Sequence, residues 1–225
     1  LVTRTAVDGG TTRVLIDTAP DMREQLIAAG VGHLDAVVYT HPHADHVHGI
    51  DDLRQIVFNT RNRLQVWADG DTSDALLGRF GYVFVQPKGS PYPPILELNT
   101  IDGPLRIDGA GGVIELTPFK VAHGSIDALG FRIGRLAYLP DVSEIPEGAL
   151  PHLAELDTFV LDGLRRAPHP THFNLETALD WFARLRPRLG VVTNMHNDLD
   201  YDTLIGELPA GVVPAYDGLE LEVIE

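Results

Sequence analysis

Apolar positions fall in short runs separated by polar, glycine-rich breaks, and their period changes along the chain. Val2–Val7 and Arg13–Asp17 read as two strands around the turn signal Asp8-Gly9-Gly10. Pro20 opens a short helix over Asp21–Ala29, stopped by Gly30. Ala36-Val37-Val38-Tyr39-Thr40 is a continuous apolar, β-branched run, the pattern of a buried strand. Residues 49–57 place Ile50, Leu53, Ile56 and Val57 on one helical face. Leu64–Trp67 predicts another strand, and Asp71 or Thr72 caps a helix running to about Phe80. Segment 81–99 interleaves Gly and Pro with Tyr82, Phe84 and Tyr92, which predicts a structured loop or lid, with Tyr82 and Phe84 as candidates to line a cleft or, for at least one of them, to pack in the core. Strand signals then dominate at Leu105–Ile107, Val113–Phe119, Leu129–Ile133, Leu136–Leu139 and Asp157–Leu161. Asn174 caps a helix through Leu185 that Pro187 closes. Val191–Thr193 reads as a strand, 200–208 as a helix and Leu219–Ile224 as a last strand. No fixed-period repeat, low-complexity tract or linker interrupts this, so residues 1–225 read as one α/β domain of two packed sheets with helices outside.

Composition narrows the chemistry. Apolar residues make up 44% and charged residues 22% of 225, ordinary globular usage that argues against wholesale disorder. No apolar run is long enough to span a bilayer, and no charged-then-apolar leader opens the chain, which makes a cytoplasmic location the default expectation. Leu1 is not an initiator Met, so an N-terminal strand is expected to be missing. The formal charge of −15 argues against coating long nucleic acid or an anionic membrane. Cysteine is absent, which excludes disulfides, thiolate zinc, Fe–S clusters and a Cys nucleophile; any metal must be held by His, Asp or Glu.

Those ligand types are concentrated in Thr40-His41-Pro42-His43-Ala44-Asp45-His46-Val47-His48-Gly49, directly after the buried strand. A His-x-His pair can aim two imidazoles at one ion from a turn, and the following Asp-His pair can serve a second ion nearby. Two ions need further ligands, so later side chains must converge on the loop. His123 follows an apolar strand, Asp141 ends the run Ala137–Pro140, and His196 lies just beyond Val191–Thr193. Each sits at a strand end, as an active site at a sheet edge requires.

This arrangement resembles the metallo-β-lactamase superfamily of hydrolases, carried by His41-x-His43-x-Asp45-His46 and then His123, Asp141 and His196 in order. The resemblance implies a four-layer αββα sandwich with a binuclear centre: His41, His43 and His123 on one ion, Asp45, His46 and His196 on the other, Asp141 bridging. Within the superfamily the chain looks most like the branch of phosphoribosyl cyclic-phosphate phosphodiesterase and tRNase Z-like phosphodiesterases. That likeness rests on Ile16-Asp17-Thr18-Ala19-Pro20-Asp21-Met22-Arg23 and on Pro170-Thr171-His172-Phe173-Asn174. In that branch a histidine at the position of His172 faces substrate. Members of the branch can also carry an extra zinc site built from cysteines, which this chain cannot make, and they usually open with a Gly-Ser-Gly type strand and loop that is missing here.

The resemblance implies a metal-dependent phosphodiesterase holding two divalent ions, Zn²⁺ or Mn²⁺, and acting through a metal-bridging hydroxide on a small or cyclic phosphodiester. Asp45 and His172 are then the catalytic candidates, with His172 as general acid or phosphate clamp and His48 also facing substrate. The acidic surface favours a small nucleotide-like substrate over a long polyanion. A homodimer is compatible with the sequence. His33, His152 and His169 read as surface or turn residues. A thioester or lactone hydrolase on the same centre, a metal-dependent oxidoreductase or cofactor-biosynthesis protein, and a metal-binding module without catalysis are the competing classes.

Overall fold

The computed structural model describes residues 1–224, which form two compact units, Leu1–Glu115 and a second from Leu116 on. In the first unit β1 (Val2–Thr5) and β2 (Thr11–Ile16) pair antiparallel across the expected turn. Gly9 has φ +87°, a conformation open to glycine, and Asp8 Oδ1 accepts the Gly10 N–H at 3.0 Å. The short helix α1 (Met22–Ala28) follows. β3 (Ala36–Val38), wholly buried as its continuous apolar run predicts, leads into the one-turn helix α2 (Ala44–Val47) and then α3 (Leu53–Thr60). β4 (Leu64–Ala68) precedes α4 (Gly70–Phe84).

Two local expectations change here. Asp69, not Asp71 or Thr72, caps α4; its extended backbone lets the carboxylate accept Thr72 N–H at 2.9 Å. The helix also runs past Phe80, where φ −126° and ψ 24° mark a kink, and its last turn buries Val83 and Phe84 in the first core. Phe84 is therefore a core residue, while Tyr82 is exposed and its hydroxyl donates to Asp51. The prolines end at Pro94, and Leu96–Thr100 form β5, parallel to β4, inside a segment expected to be irregular. The order is β1-β2-β3-β4-β5, with every pair after the first parallel. Met22 and Leu26 of α1, Leu53 and Ile56 of α3 and Leu76 of α4 pack on Val37, Val66 and Leu96. The short strand β6 (Leu105–Ile107) comes last in this unit.

The second unit opens within β7 (Ile114–His123), which forms a long hairpin with β8 (Ile126–Ile133), and continues antiparallel to β9 (Leu136–Leu139). β10 (Thr158–Asp162) is parallel to β9. Asn174 caps α5 (Leu175–Leu185) through its side-chain oxygen, which accepts Thr177 N–H at 3.1 Å. β11 (Leu189–Thr193), α6 (Tyr201–Glu207) and β12 (Val212–Pro214) complete the unit, whose strands lie in the order β12-β11-β10-β9-β8-β7. The last strand is thus Val212–Pro214 rather than Leu219–Ile224. The alternating Leu219-Glu220-Leu221-Glu222-Val223 has the pattern of a half-buried strand, but no strand forms there among the described residues. A separate core joins Phe119, Leu139, Phe159, Leu161, Ala178, Phe182 and Val192.

Two sheets with six helices among the described residues give the expected α/β class. The single domain read from the sequence is built as two units, each with its own core. Among the described residues, no helix is long and apolar enough to cross a membrane.

Candidate metal centre

In the first unit the histidine loop leaves β3 and is anchored from behind by Asp17, at the end of β2. Asp17 takes φ +59°, an uncommon left-handed conformation for a non-glycine residue. Its carboxylate accepts Thr40 N–H (2.8 Å), the Thr40 hydroxyl (2.7 Å) and His46 Nδ1 (2.8 Å). A carboxylate only accepts, so His46 carries its proton on Nδ1 and presents a lone pair at Nε2, 3.5 Å from Asp45 Oδ2. The Thr40 hydroxyl has given its proton to Asp17, so its oxygen accepts His41 Nδ1–H at 3.0 Å, which leaves a lone pair at His41 Nε2. That nitrogen lies 3.1 Å from His43 Nδ1. Gly49 N–H donates to Thr18 O at 2.9 Å, and a Cβ there would sit 2.3 Å from Ala19 O, so only glycine permits the close return of the loop to residues 18–19.

In the second unit the carboxyl ends of parallel strands carry the polar groups, where α/β sheets bind ligands. His123 ends β7, Asp141 follows β9, Asp162 ends β10 and Asn194 follows β11. His123 is 1% exposed; its Nδ1–H donates to Thr171 O at 2.6 Å, and its Nε2 lies 3.5 Å from Asp141 Oδ2. Gly124, at φ +62°, lets residue 171 approach: a Cβ there would stand 2.4 Å from Thr171 Cγ2. His172 donates from Nδ1 to Asp162 Oδ2 at 2.9 Å, and its ring packs edge-on against His123 with centroids 4.7 Å apart. Asp162 is fully buried; Oδ2 also accepts Val142 N–H at 3.1 Å, while Oδ1 has no partner. Burial pushes its pKa up to about 6 against the opposing His172 hydrogen bond.

The donor set fits divalent ions. Three imidazoles, His41, His46 and His123, are each tied at Nδ1 to an oxygen acceptor, which fixes the tautomer with an Nε2 lone pair. The ligand-type atoms of His41 and His43, of Asp45 and His46, and of His123 and Asp141 lie within 4.8 Å of each other inside each group. Neutral imidazole with carboxylate suits divalent ions rather than thiolate-selected ones.

The remaining candidates are placed as follows. His48 is exposed and packs edge-on against Phe80, centroids 5.8 Å apart. His33 pairs with Asp35 at 3.6 Å, and His152 stacks on Phe119. His196 is 58% exposed, pairs with Asp198 at 3.4 Å and is not grouped with Asp141 as a ligand. Asn194, two residues earlier and at φ +58°, reaches Asp141 Oδ1 with its amide at 3.2 Å. Sequence reasoning gave no role to Asp162 or Asn194, read His169 as a surface or turn residue, and named Asp17 only as a strand end and within the resemblance. Asp17 and Asp162 carry the same signal as Asp141, an acid ending an apolar run.

Asp17→Asn is expected to leave the fold intact and weaken metal binding roughly 10–100-fold, the usual cost of losing a residue that orients a ligand. Competition with a chromophoric chelator measures it; an unchanged Kd would confine Asp17 to a folding role.

Comparison with known proteins agrees with this construction. The model of the Beta-lactamase superfamily domain matches residues 12–195. A solved structure of a diphosphatase from the PhnP family is 33% identical, with TM-score 0.84 over 96% of this chain and 84% of that one. An octanoyltransferase of Porphyromonas gingivalis is 34% identical over 95% of this chain, and a ribonuclease Z of a Bradyrhizobium species is 28% identical over 64%. The chain spans only 43% and 50% of the length of these two proteins. With its histidine loop, strand-end acids and two sheets in place, the chain belongs to the beta-lactamase superfamily and has the metallo-β-lactamase fold.

Proposed function

We propose that this protein is a metal-dependent phosphodiesterase acting on a small phosphoric ester. The observation that carries the reading is the Asp162–His172 pair beside Asp141 and His123. A buried carboxylate that orients an imidazole is what proton transfer to a leaving alkoxide requires. The 33% likeness to a PhnP-family diphosphatase and the weaker one to a ribonuclease Z support phosphoryl chemistry.

In this reading, as the resemblance implies, His41, His43 and His123 would hold one Zn²⁺ or Mn²⁺, Asp45, His46 and His196 a second, and Asp141 would serve both. His196, which pairs with Asp198 at 3.4 Å, is proposed as the further ligand of the second ion. Bound ions supply Lewis acidity toward phosphoryl oxygens and an ionised water as nucleophile. The chain's own residues do the rest. Asp17 and the Thr40 hydroxyl hold His46 and His41 in the binding tautomer. Asn194 fixes the Asp141 carboxylate. His172, oriented through Nδ1, holds a proton at Nε2 and delivers it to the leaving oxygen. The acidic chain repels long polyanions outside the centre, which favours a small or cyclic ester and no extended nucleic acid.

A panel of bis(p-nitrophenyl) phosphate, cyclic nucleotides, a thioester and a lactone, offered to Zn²⁺- or Mn²⁺-loaded protein, tests the reading. Hydrolysis of a phosphodiester is expected. Turnover of thioester or lactone alone would replace it with the acyl reading, which the likeness to an octanoyltransferase favours.

A further inference from the structure

The loop between β10 and α5 carries a basic group that the proposed reaction does not use. His169 was expected to be a surface or turn residue. Instead its ring packs against that of His172, centroids 5.1 Å apart and tilted by 57°. Its Nδ1 accepts Thr171 N–H at 3.3 Å, with the Thr171 hydroxyl at 3.2 Å. A nitrogen that accepts a backbone N–H is unprotonated, so the neutral ring carries its hydrogen at Nε2 and offers one donor there. Burial, then the charges of Arg165 and His172, hold its pKa below the usual histidine value, which keeps it in that neutral donor form.

Arg165 belongs to the same loop. Its Nε and Nη2 donate to the carbonyls of Ala167 and Pro168 at 3.2 and 2.7 Å. This fixes the guanidinium beside the residue that precedes His169. Arg166, by contrast, spends its charge on Glu207 at 2.7 Å. In a chain of net charge −15, Arg165, His169 and His172 form a local basic cluster. Its parts differ: one fixed cation, one neutral donor, and one imidazole already assigned to the leaving oxygen. The same turn, through Thr171, supports both His123 and His169.

We propose that His169 and Arg165 form a subsite for a second phosphoryl group next to the one on which His172 acts, so that the preferred substrate class is a diphosphate ester rather than an isolated phosphodiester. The proposal rests on the phosphoryl reading of the centre and deepens it. His169 donates from Nε2 to a non-bridging oxygen of the neighbouring phosphoryl, and Arg165 balances its charge. Chemistry at the scissile phosphorus is unchanged.

The test is equilibrium binding, independent of turnover. Isothermal titration of metal-loaded protein compares adenosine 5′-(α,β-methylene)diphosphate, which has two phosphoryls and no hydrolysable bridge, with AMP, which has one. The wild type is expected to prefer the diphosphonate by about tenfold or more, as one hydrogen bond to a charged group allows. His169→Ala should abolish that preference, leave AMP binding within about twofold and keep the metal content. His169→Gln, whose amide places a donor near the Nε2 position, should restore part of it. An equal loss for both ligands in His169→Ala would reduce His169 to a support for the loop, and no preference in the wild type would end the proposal. If the preference is present and His169-dependent while no phosphoester is hydrolysed, the subsite stands and the phosphodiesterase reading falls.

Discussion

Replacing His41 by alanine is expected to remove bound metal and turnover together. His41 is completely buried, its Nδ1–H is committed to Thr40, and its Nε2 lies 3.1 Å from His43 Nδ1. Two ring nitrogens at that distance suit a shared cation, and alanine deletes one of them outright. The loss should exceed the roughly 10–100-fold that follows from disturbing a residue behind a ligand. Metal content by elemental analysis and turnover of the best phosphodiester are read on the same preparation. His33→Ala, at a histidine paired with Asp35, serves as the control and should change neither. A His41→Ala protein that keeps its metal and its activity would remove the histidine loop from the centre.

The second large effect belongs to the Asp162–His172 pair. His172→Ala should retain metal and lose about 10²–10⁴-fold in turnover, the usual worth of a positioned acid or base. If metal is lost as well, His172 belongs among the ligands. Asp162→Asn separates orientation from charge. The amide can still accept from His172 but no longer stabilises a protonated ring, so turnover should fall while substrate KM changes little.

The pH dependence follows from the same carboxyl. Its pKa in the folded protein, about 6, lies above the ordinary value of 3.8. Wild-type turnover should therefore decline in acid as Asp162 takes up a proton, with bound divalent ions moving that limb below its metal-free position. Metal ligands lose affinity in acid too, so the rate is measured at saturating metal, and the Asp162→Asn profile should lack this limb. Stability runs the other way. A carboxyl with a raised folded-state pKa favours folding only while protonated, and that contribution is lost as pH rises through about 6. At neutral pH the buried charge, with Oδ1 unpartnered, costs the metal-free protein up to roughly 3 kcal/mol. Metal-free Asp162→Asn should thus melt no lower than wild type at pH 7.5. A lower Tm would mean that the carboxylate is a net stabiliser.

How much of this was legible beforehand depends on whether the signal is local. The histidine loop is read directly, because four His and an Asp after a buried strand serve no ordinary packing purpose. Most elements follow from period and caps, as Asn174 at the start of α5 shows. β5 and β12 were missed for a local reason. Prolines run up to β5, and β12 is three residues long and is made a strand by pairing with β11. The expected strand at Leu219–Ile224 alternates correctly, yet beyond the bond from Arg135 N–H to Ile224 O no strand forms there among the described residues.

Other parts of the centre depend on residues far apart in sequence. That Asp162 rather than bulk water meets His172, that Thr171 O sets the tautomer of His123, and that Asn194 rather than His196 reaches Asp141 are consequences of parallel strand ends brought side by side. The sequence by itself determined the ligand types, the absence of thiolate chemistry, the acidic surface and the α/β pattern, since composition and period are properties of the chain. Tertiary structure alone decided which acid orients which imidazole. Hydrogen bonds of about 3 Å between residues tens of positions apart exist only once the sheet has set the register of its strands.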